Sequence, residues 1–189
     1  MYAPGPMTST VIVYAHPYPD RSRANRALLA AVRDLPEVSV RALYDLYPDF
    51  AIDVAAERSA LVTATRIVWQ CPIYWYSVPA LLSLWFEKVL AHGWAYGQGG
   101  TALHGKRALW VTTTGAGESA YAPGAMHGRP FAAYVPPVEQ TARFCGMDWE
   151  PPLVVHGAHR IDDDALAAWA EAYRARLAAD DRAEVTGHG

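Results

Sequence analysis

The sequence predicts an α/β fold, an open parallel sheet of five strands with helices wound on both faces. Three observations carry that expectation. Nearly continuous apolar runs such as Thr10-Val-Ile-Val-Tyr-Ala-His16 suit strands that are covered on both faces. Between such runs, apolar residues recur at helical spacing, so strands and helices alternate five times. Residues with chemistry in their side chains gather where strands end, where an open α/β sheet leaves its crevice.

The first strand runs from Thr10 to His16, and a polar loop, Pro17 to Ser22, follows it. Ala24, Ala27, Leu28, Ala31, Val32 and Leu35 then share one helix face. Pro36 stops that helix, having no amide hydrogen to continue it. Val38 to Leu43 reads as the second strand, and Asp53 is placed to cap a helix through Ala56, Ala60 and Leu61. Arg66 to Cys71 is the third strand. Pro79 precedes a helix that turns Leu82, Trp85, Phe86 and Val89 inward. Gly105-Lys106 leads into the fourth strand, Arg107 to Thr113, and the loop from Thr114 to Pro130 holds Gly115, Gly117, Gly124 and Gly128. Phe131 to Cys145 is predicted helical, with Pro136-Pro137 breaking or beginning it. Trp149 to His156 supplies the fifth strand. The closing helix carries Leu166, Trp169, Ala170, Tyr173 and Leu177, with Trp169 and Tyr173 assigned to the core and Asp162 to Asp164 at its positive end. Residues 1–9 read as a disordered leader, 10–180 as one domain, and 181–189 as a polar tail that frays.

Composition narrows the function. A chain of 189 residues is one domain's worth. Apolar residues at 52% against 19% charged argue against disorder. Sixteen Lys+Arg against nineteen Asp+Glu leave a net charge of -3, with no basic excess for a phosphate backbone, so nucleic acid is not the expected partner. Cys71 and Cys145 are the two cysteines. They make neither a disulfide framework nor a C-x-x-C site, and a reducing cytoplasm suits them. No apolar stretch reaches the roughly 20 residues of a membrane span. His156 and His159 lie two apart but lack a third ligand at metal-binding spacing, so no metal site is expected.

Three segments converge on the expected crevice. Strand one leads to His16 and the loop to Asn25, where Ser22 and Asn25 meet the start of a helix whose free amides favour a phosphate. Arg23 adds charge there or is solvated. Strand three ends in Cys71-Pro-Ile-Tyr-Trp-Tyr-Ser77, which offers rings and backbone amides to a flat heterocycle. Strand four ends in Thr113-Thr-Gly-Ala116, whose hydroxyls and amides suit the carbonyl edge of such a ring and negative charge developing on it. Cys71 itself reads as a small buried hydrophobe. There is no Gly-x-Ser-x-Gly elbow and no Walker motif, and strand one is followed by His-Pro rather than Gly-x-Gly-x-x-Gly.

Ala15-His-Pro17, Asn25, Pro72-Ile-Tyr-Trp-Tyr76, Trp94-Ala-Tyr96 and Thr113-Thr-Gly115 together resemble the flavodoxin-fold NAD(P)H:quinone oxidoreductases. Tyr14-Ala-His-Pro-Tyr-Pro19, Leu43 to Phe50, and His92 to Lys106 are similar to the bacterial ancillary quinone reductases of glutathione-gated potassium efflux systems. The resemblance runs from about Val11 to Leu177. It implies a flavodoxin-like strand order of 2-1-3-4-5 and a bound flavin, FMN rather than FAD. Carried over by motif, His16, Ser22, Arg23, Ala24 and Asn25 would hold the phosphate end. Pro72, Ile73, Tyr74, Trp75 and Tyr76 would line the ring and ribityl chain, and Thr113, Thr114, Gly115 and Ala116 would bond the ring's polar edge. Tyr121 and His127 fall at the spacing of a catalytic Tyr and His in the animal quinone reductases. Ala116 stands where many members have a second Gly, which restricts the loop if a positive φ is needed there.

The implied reaction is ping-pong: NAD(P)H gives hydride to flavin N5 and leaves, and a quinone then takes two electrons. The resemblance also implies a homodimer, a cytoplasmic location that extends to the inner face of the cell membrane, and a potassium efflux transporter as a partner. Regulation of that transporter is the alternative function. Azo- or nitroreduction is another, because a shallow pocket over a flavin discriminates little among flat acceptors. A one-electron carrier is disfavoured by the mild charge.

Overall fold

The computed structural model describes residues 10–185, with side chains to residue 178; the expected leader and residues 186–189 lie outside the described residues. β1 (Thr10–Tyr14), β2 (Val38–Ala42), β3 (Arg66–Pro72) and β4 (Arg107–Thr113) pair in parallel in the order β2-β1-β3-β4. Ile12 sits between Val40 and Val68, and Trp69 lies opposite Trp110. The expected fifth strand is divided. β5 (Asp148–Trp149) and β6 (Leu153–Val155) both pair with β4, the first beside Arg107-Ala108 and the second beside Val111 to Thr113. Pro151 and Pro152 fall between them and bring no N–H to the ladder. Six strands therefore fill the five positions of a 2-1-3-4-5 sheet.

Alternation along each strand divides the core into two layers. Val11, Val13, Trp69, Cys71 and Trp110 face one layer, which α4 (Ala80–Val89) and α5 (Pro136–Phe144) also enter. Ile12, Tyr14, Val68, Leu109 and Val111 face the other, beneath α1 (Arg23–Val32) and the closing helix α6 (Asp163–Val185). Between β2 and β3 lie α2 (Leu43–Leu46) and α3 (Val54–Thr63). Asp53 caps α3 through the Ala56 amide, as its position predicts.

Several element boundaries differ from the sequence reading. Leu43 opens α2 instead of closing β2. Pro136 and Pro137 begin α5, where a missing N–H costs nothing; before them Phe131–Tyr134 forms a 3-10 turn. Glu118–Tyr121 forms another inside the long loop. Trp169 is not core: it is 39% exposed, while Tyr173, Leu166 and Leu177 carry the buried face of α6. At about 3.6 residues per turn, Tyr173 and Leu177 fall within about 20° of Leu166 on the helix, whereas Trp169 stands about 60° away, at the edge of the stripe. α6 runs to Val185, past the expected boundary at Asp180.

Candidate functional site

Beyond the carboxyl ends of β1, β3 and β4, a crevice of about 360 Å³ opens among three loops. In the first, His16 is buried, and its Nδ1 accepts from the Tyr18 amide at 3.0 Å. Burial pushes its pKa down, so the neutral imidazole is favoured. The Ser22 hydroxyl accepts from the Asn25 amide and caps α1, leaving the amides of Arg23 and Ala24 without partners among the described residues. Arg23, exposed at the surface, bonds Asp163 and the Ile161 carbonyl, tying this loop to the start of α6.

Asn25 is the hinge of the site. Its Nδ2 donates to Thr113 Oγ1 at 2.8 Å, and its carbonyl accepts from buried Gln70 at 2.9 Å. Its Oδ1 is buried without a donor. A buried acceptor left open beside a cavity is costly unless something fills it.

The second loop is a tight reversal. Tyr74 and Ser77 exchange backbone hydrogen bonds of 2.9 and 3.0 Å, and the two residues between them take left-handed conformations: Trp75 at φ 49° and Tyr76 at φ 63°. Bulky side chains rarely accept such values, and strain of this kind persists mainly where function retains it. Trp75 is 92% exposed. The reversal leaves the amides of Trp75 and Tyr76 unpaired among the described residues.

In the third loop, the amides of Gly115 and Ala116 are likewise unpaired among the described residues. Ala116 does not need a positive φ, so the alanine costs the loop nothing. At Gly115 the constraint is space: an added Cβ would stand 3.3 Å from the His159 ring.

The crevice thus brings together His16, Ser22, Arg23, Ala24, Asn25, Pro72, Ile73, Tyr74, Thr113 and Gly115. It leaves Trp75, Tyr76, Thr114 and Ala116 off its wall. Tyr121 and His127 lie outside it too, stacked on each other at 4.3 Å, with Tyr76 edge-on to His127 at 5.8 Å. Both His127 nitrogens are buried and unpartnered among the described residues. Burial raises the Tyr121 hydroxyl pKa, Tyr134 and Tyr76 add to that, and Thr114 opposes it. Behind Tyr121 lies a second cavity of about 620 Å³, bordered by Glu118, Phe131 and His156.

Sequence reasoning missed Tyr18, Arg21, Ala158 and His159 on the crevice wall. The last two follow β6, so the carboxyl-end rule covers them, but the spacing of His156 and His159 suggests only metal ligation, not a wall position for His159. Among the described residues no group of three His, Cys, Asp or Glu could hold a metal. Cys71, with its pKa raised to about 12 by burial, is an inert thiol. A wider groove of about 860 Å³ beside α1 and β2 adjoins the crevice at Arg21 and Arg23 but includes neither of the other two loops.

Residues 8–177 match the flavodoxin-like fold family. This chain belongs to that family. Among its relatives, the glutathione-regulated potassium-efflux system ancillary protein KefF of Salmonella typhi is 54% identical over 169 residues, 89% of this chain and 95% of KefF. The general stress protein 14 of Treponema denticola, solved in complex with FMN, superposes with a TM-score of 0.84 at 37% identity, covering 90% of this chain and 98% of that one. An NADPH-quinone reductase from P. pentosaceus gives 0.81 at 31% identity, over 89% and 96%. Family membership accounts for the 2-1-3-4-5 order and for the crevice at the reversal of strand order.

Proposed function

We propose that this chain binds FMN in the crevice and acts as an NAD(P)H:quinone oxidoreductase. The observation that carries the reading is the convergence of three loops on a cavity with one open buried acceptor, with unpaired backbone amides at Arg23, Ala24 and Gly115 on its wall and at 75–76 and 116 in the adjoining residues of the same loops. Those groups fit the group's chemistry. The α1 N-terminus with Ser22 suits the phosphate, Asn25 Oδ1 suits a ribityl hydroxyl, and the amides of Gly115 and Ala116 suit the ring carbonyls. When bound, FMN would supply two-electron transfer between NAD(P)H and a quinone.

The protein's own work is to bind, orient and govern charge. His16, Pro72, Ile73 and Tyr74 shape the wall and fix the group's depth. The amides of Gly115 and Ala116 stabilise negative charge at the polar edge. Tyr121 and His127 stand beyond that edge, where a hydroxyl and an unpartnered imidazole can pass a proton to a bound acceptor. Exposed Tyr18, Trp75 and Phe144 suit a subunit interface, and the reading includes a cytoplasmic homodimer.

The high identity to KefF favours a second role as ancillary subunit of a potassium efflux transporter, working from the inner face of the membrane. No helix among the described residues is long and apolar enough to cross a membrane. The reductase reading is tested by purifying the protein without added cofactor, then mixing it anaerobically with NAD(P)H and afterwards with benzoquinone. A yellow protein that bleaches and recolours is expected; a colourless one that takes up no FMN overturns the reading. Faster turnover of an azo dye or nitroarene than of any quinone would move the assignment to those acceptors.

A further inference from the structure

The wall between the crevice and the second cavity holds one partly buried chain of contacts. Thr114 is 1% exposed, and its Oγ1 lies 2.6 Å from the Ala116 carbonyl and 3.0 Å from His156 Nδ1. A carbonyl only accepts, so the single hydroxyl hydrogen of Thr114 goes to Ala116, and the neutral Tyr121 hydroxyl, which also bonds Thr114, donates to it. The contact with His156 then requires that Nδ1 carry a hydrogen and donate it. Burial pushes the His156 pKa down, partly offset by Glu118, so the ring is neutral near pH 7 and its Nε2 is a bare acceptor. The Tyr121 and Phe131 rings, both 5.3 Å away, hold the imidazole plane. The segment after β6 is also laced to the loop by its backbone: Thr114 N to Val155 O, Gly157 N to Ala116 O and Ala158 N to Thr114 O.

We propose that His156 is a positioning residue for the flavin's carbonyl edge: by donating from Nδ1 to the Thr114 hydroxyl, it locks that hydroxyl onto the Ala116 carbonyl and so fixes the Gly115–Ala116 backbone, whose Gly115 lies on the crevice wall. This inference rests on the FMN reading above. Its consequence is that Thr114 gives no hydroxyl hydrogen to the cofactor.

The test has two arms. In the flavin-free protein, ¹⁵N-resolved imidazole NMR should show His156 as the Nδ1–H tautomer; an Nε2–H tautomer overturns the inference whether or not flavin binds. In the second arm, FMN is titrated into the wild type, His156→Phe and His156→Asn. Asparagine can place an N–H near the Nδ1 position and phenylalanine cannot. His156→Phe should weaken FMN about tenfold, the factor expected for one lost hydrogen bond, and His156→Asn should recover most of it. Equal affinity in all three proteins, or equal loss in both variants, overturns the positioning role. A wild type that binds no FMN overturns the function itself, a separate outcome.

Discussion

Asn25 and Thr113, 88 residues apart, are joined by a 2.8 Å hydrogen bond from the Asn25 amide to the Thr113 hydroxyl, with both residues buried. That bond ties the first turn of α1 to the end of β4 beneath the crevice. Asn25→Ala leaves the Thr113 hydroxyl buried without its donor and removes the open acceptor Oδ1. It should cost about 2 kcal/mol in urea unfolding and weaken FMN binding, whereas Thr113→Val in the same background should restore part of the stability but none of the affinity.

Trp75 gives the opposite sign in stability. Its side chain is 92% exposed and its φ is 49°, so little packing offsets the strain. Asparagine tolerates this conformation. Trp75→Asn should raise stability by about 1 kcal/mol and, because Trp75 is off the crevice wall, leave FMN affinity unchanged. A thermal scan of the flavin-free protein and a flavin titration check the two halves.

His127→Ala should leave FMN affinity unchanged, because His127 is not on the crevice wall. It should slow NAD(P)H-driven bleaching by roughly a hundredfold if the imidazole moves a proton or stabilises charge. Stopped-flow absorbance reads the rate, and unchanged bleaching removes that role.

Acid should destabilise the fold through two histidines, buried His16 and half-buried His156. His16 and His156 are held below the ordinary imidazole value of 6.5 by burial. The unfolded chain therefore binds more protons than the folded one just below that value. Their contribution is intact above about 6.5 and is lost as pH falls through the folded values. Urea midpoints measured from neutral into the acid range should fall, and His16→Gln, which keeps an acceptor for the Tyr18 amide, should flatten the slope.

Away from the site, Glu57 is fully buried on α3 and accepts from Arg41, Tyr47 and Trp85 Nε1, the last at 2.9 Å. Glu57→Ala would leave those donors stranded and should cost about 3–5 kcal/mol. Chemical denaturation checks the loss; any FMN affinity measured on the folded fraction should stay the same.

Much of this was legible in the residues. The β-branched runs at Val11 to Val13 and Ile67-Val68 can only be strands buried on both faces, and Asp53 and Ser22 announce their helices by local chemistry. Trp169 misled, because a helical spacing names a stripe without fixing its edge. The divided fifth strand was written in Pro151 and Pro152, yet nothing local says that the chain resumes pairing at Leu153. His156 was unreadable for a different reason: its partner Thr114 lies 42 residues away.

By itself, the sequence determined which segments become strands and helices, that the sheet is parallel, and which loops carry the reactive side chains, since those follow from periodicity and nearest-neighbour chemistry. Only the tertiary structure decided that Trp75 and Tyr76 sit in strained left-handed turns off the crevice wall, that Tyr121 stacks on His127, and that Asn25, Thr113 and Gln70 share one buried network. Those are distances and angles between residues far apart in the chain, and they exist only once the sheet's register has been set.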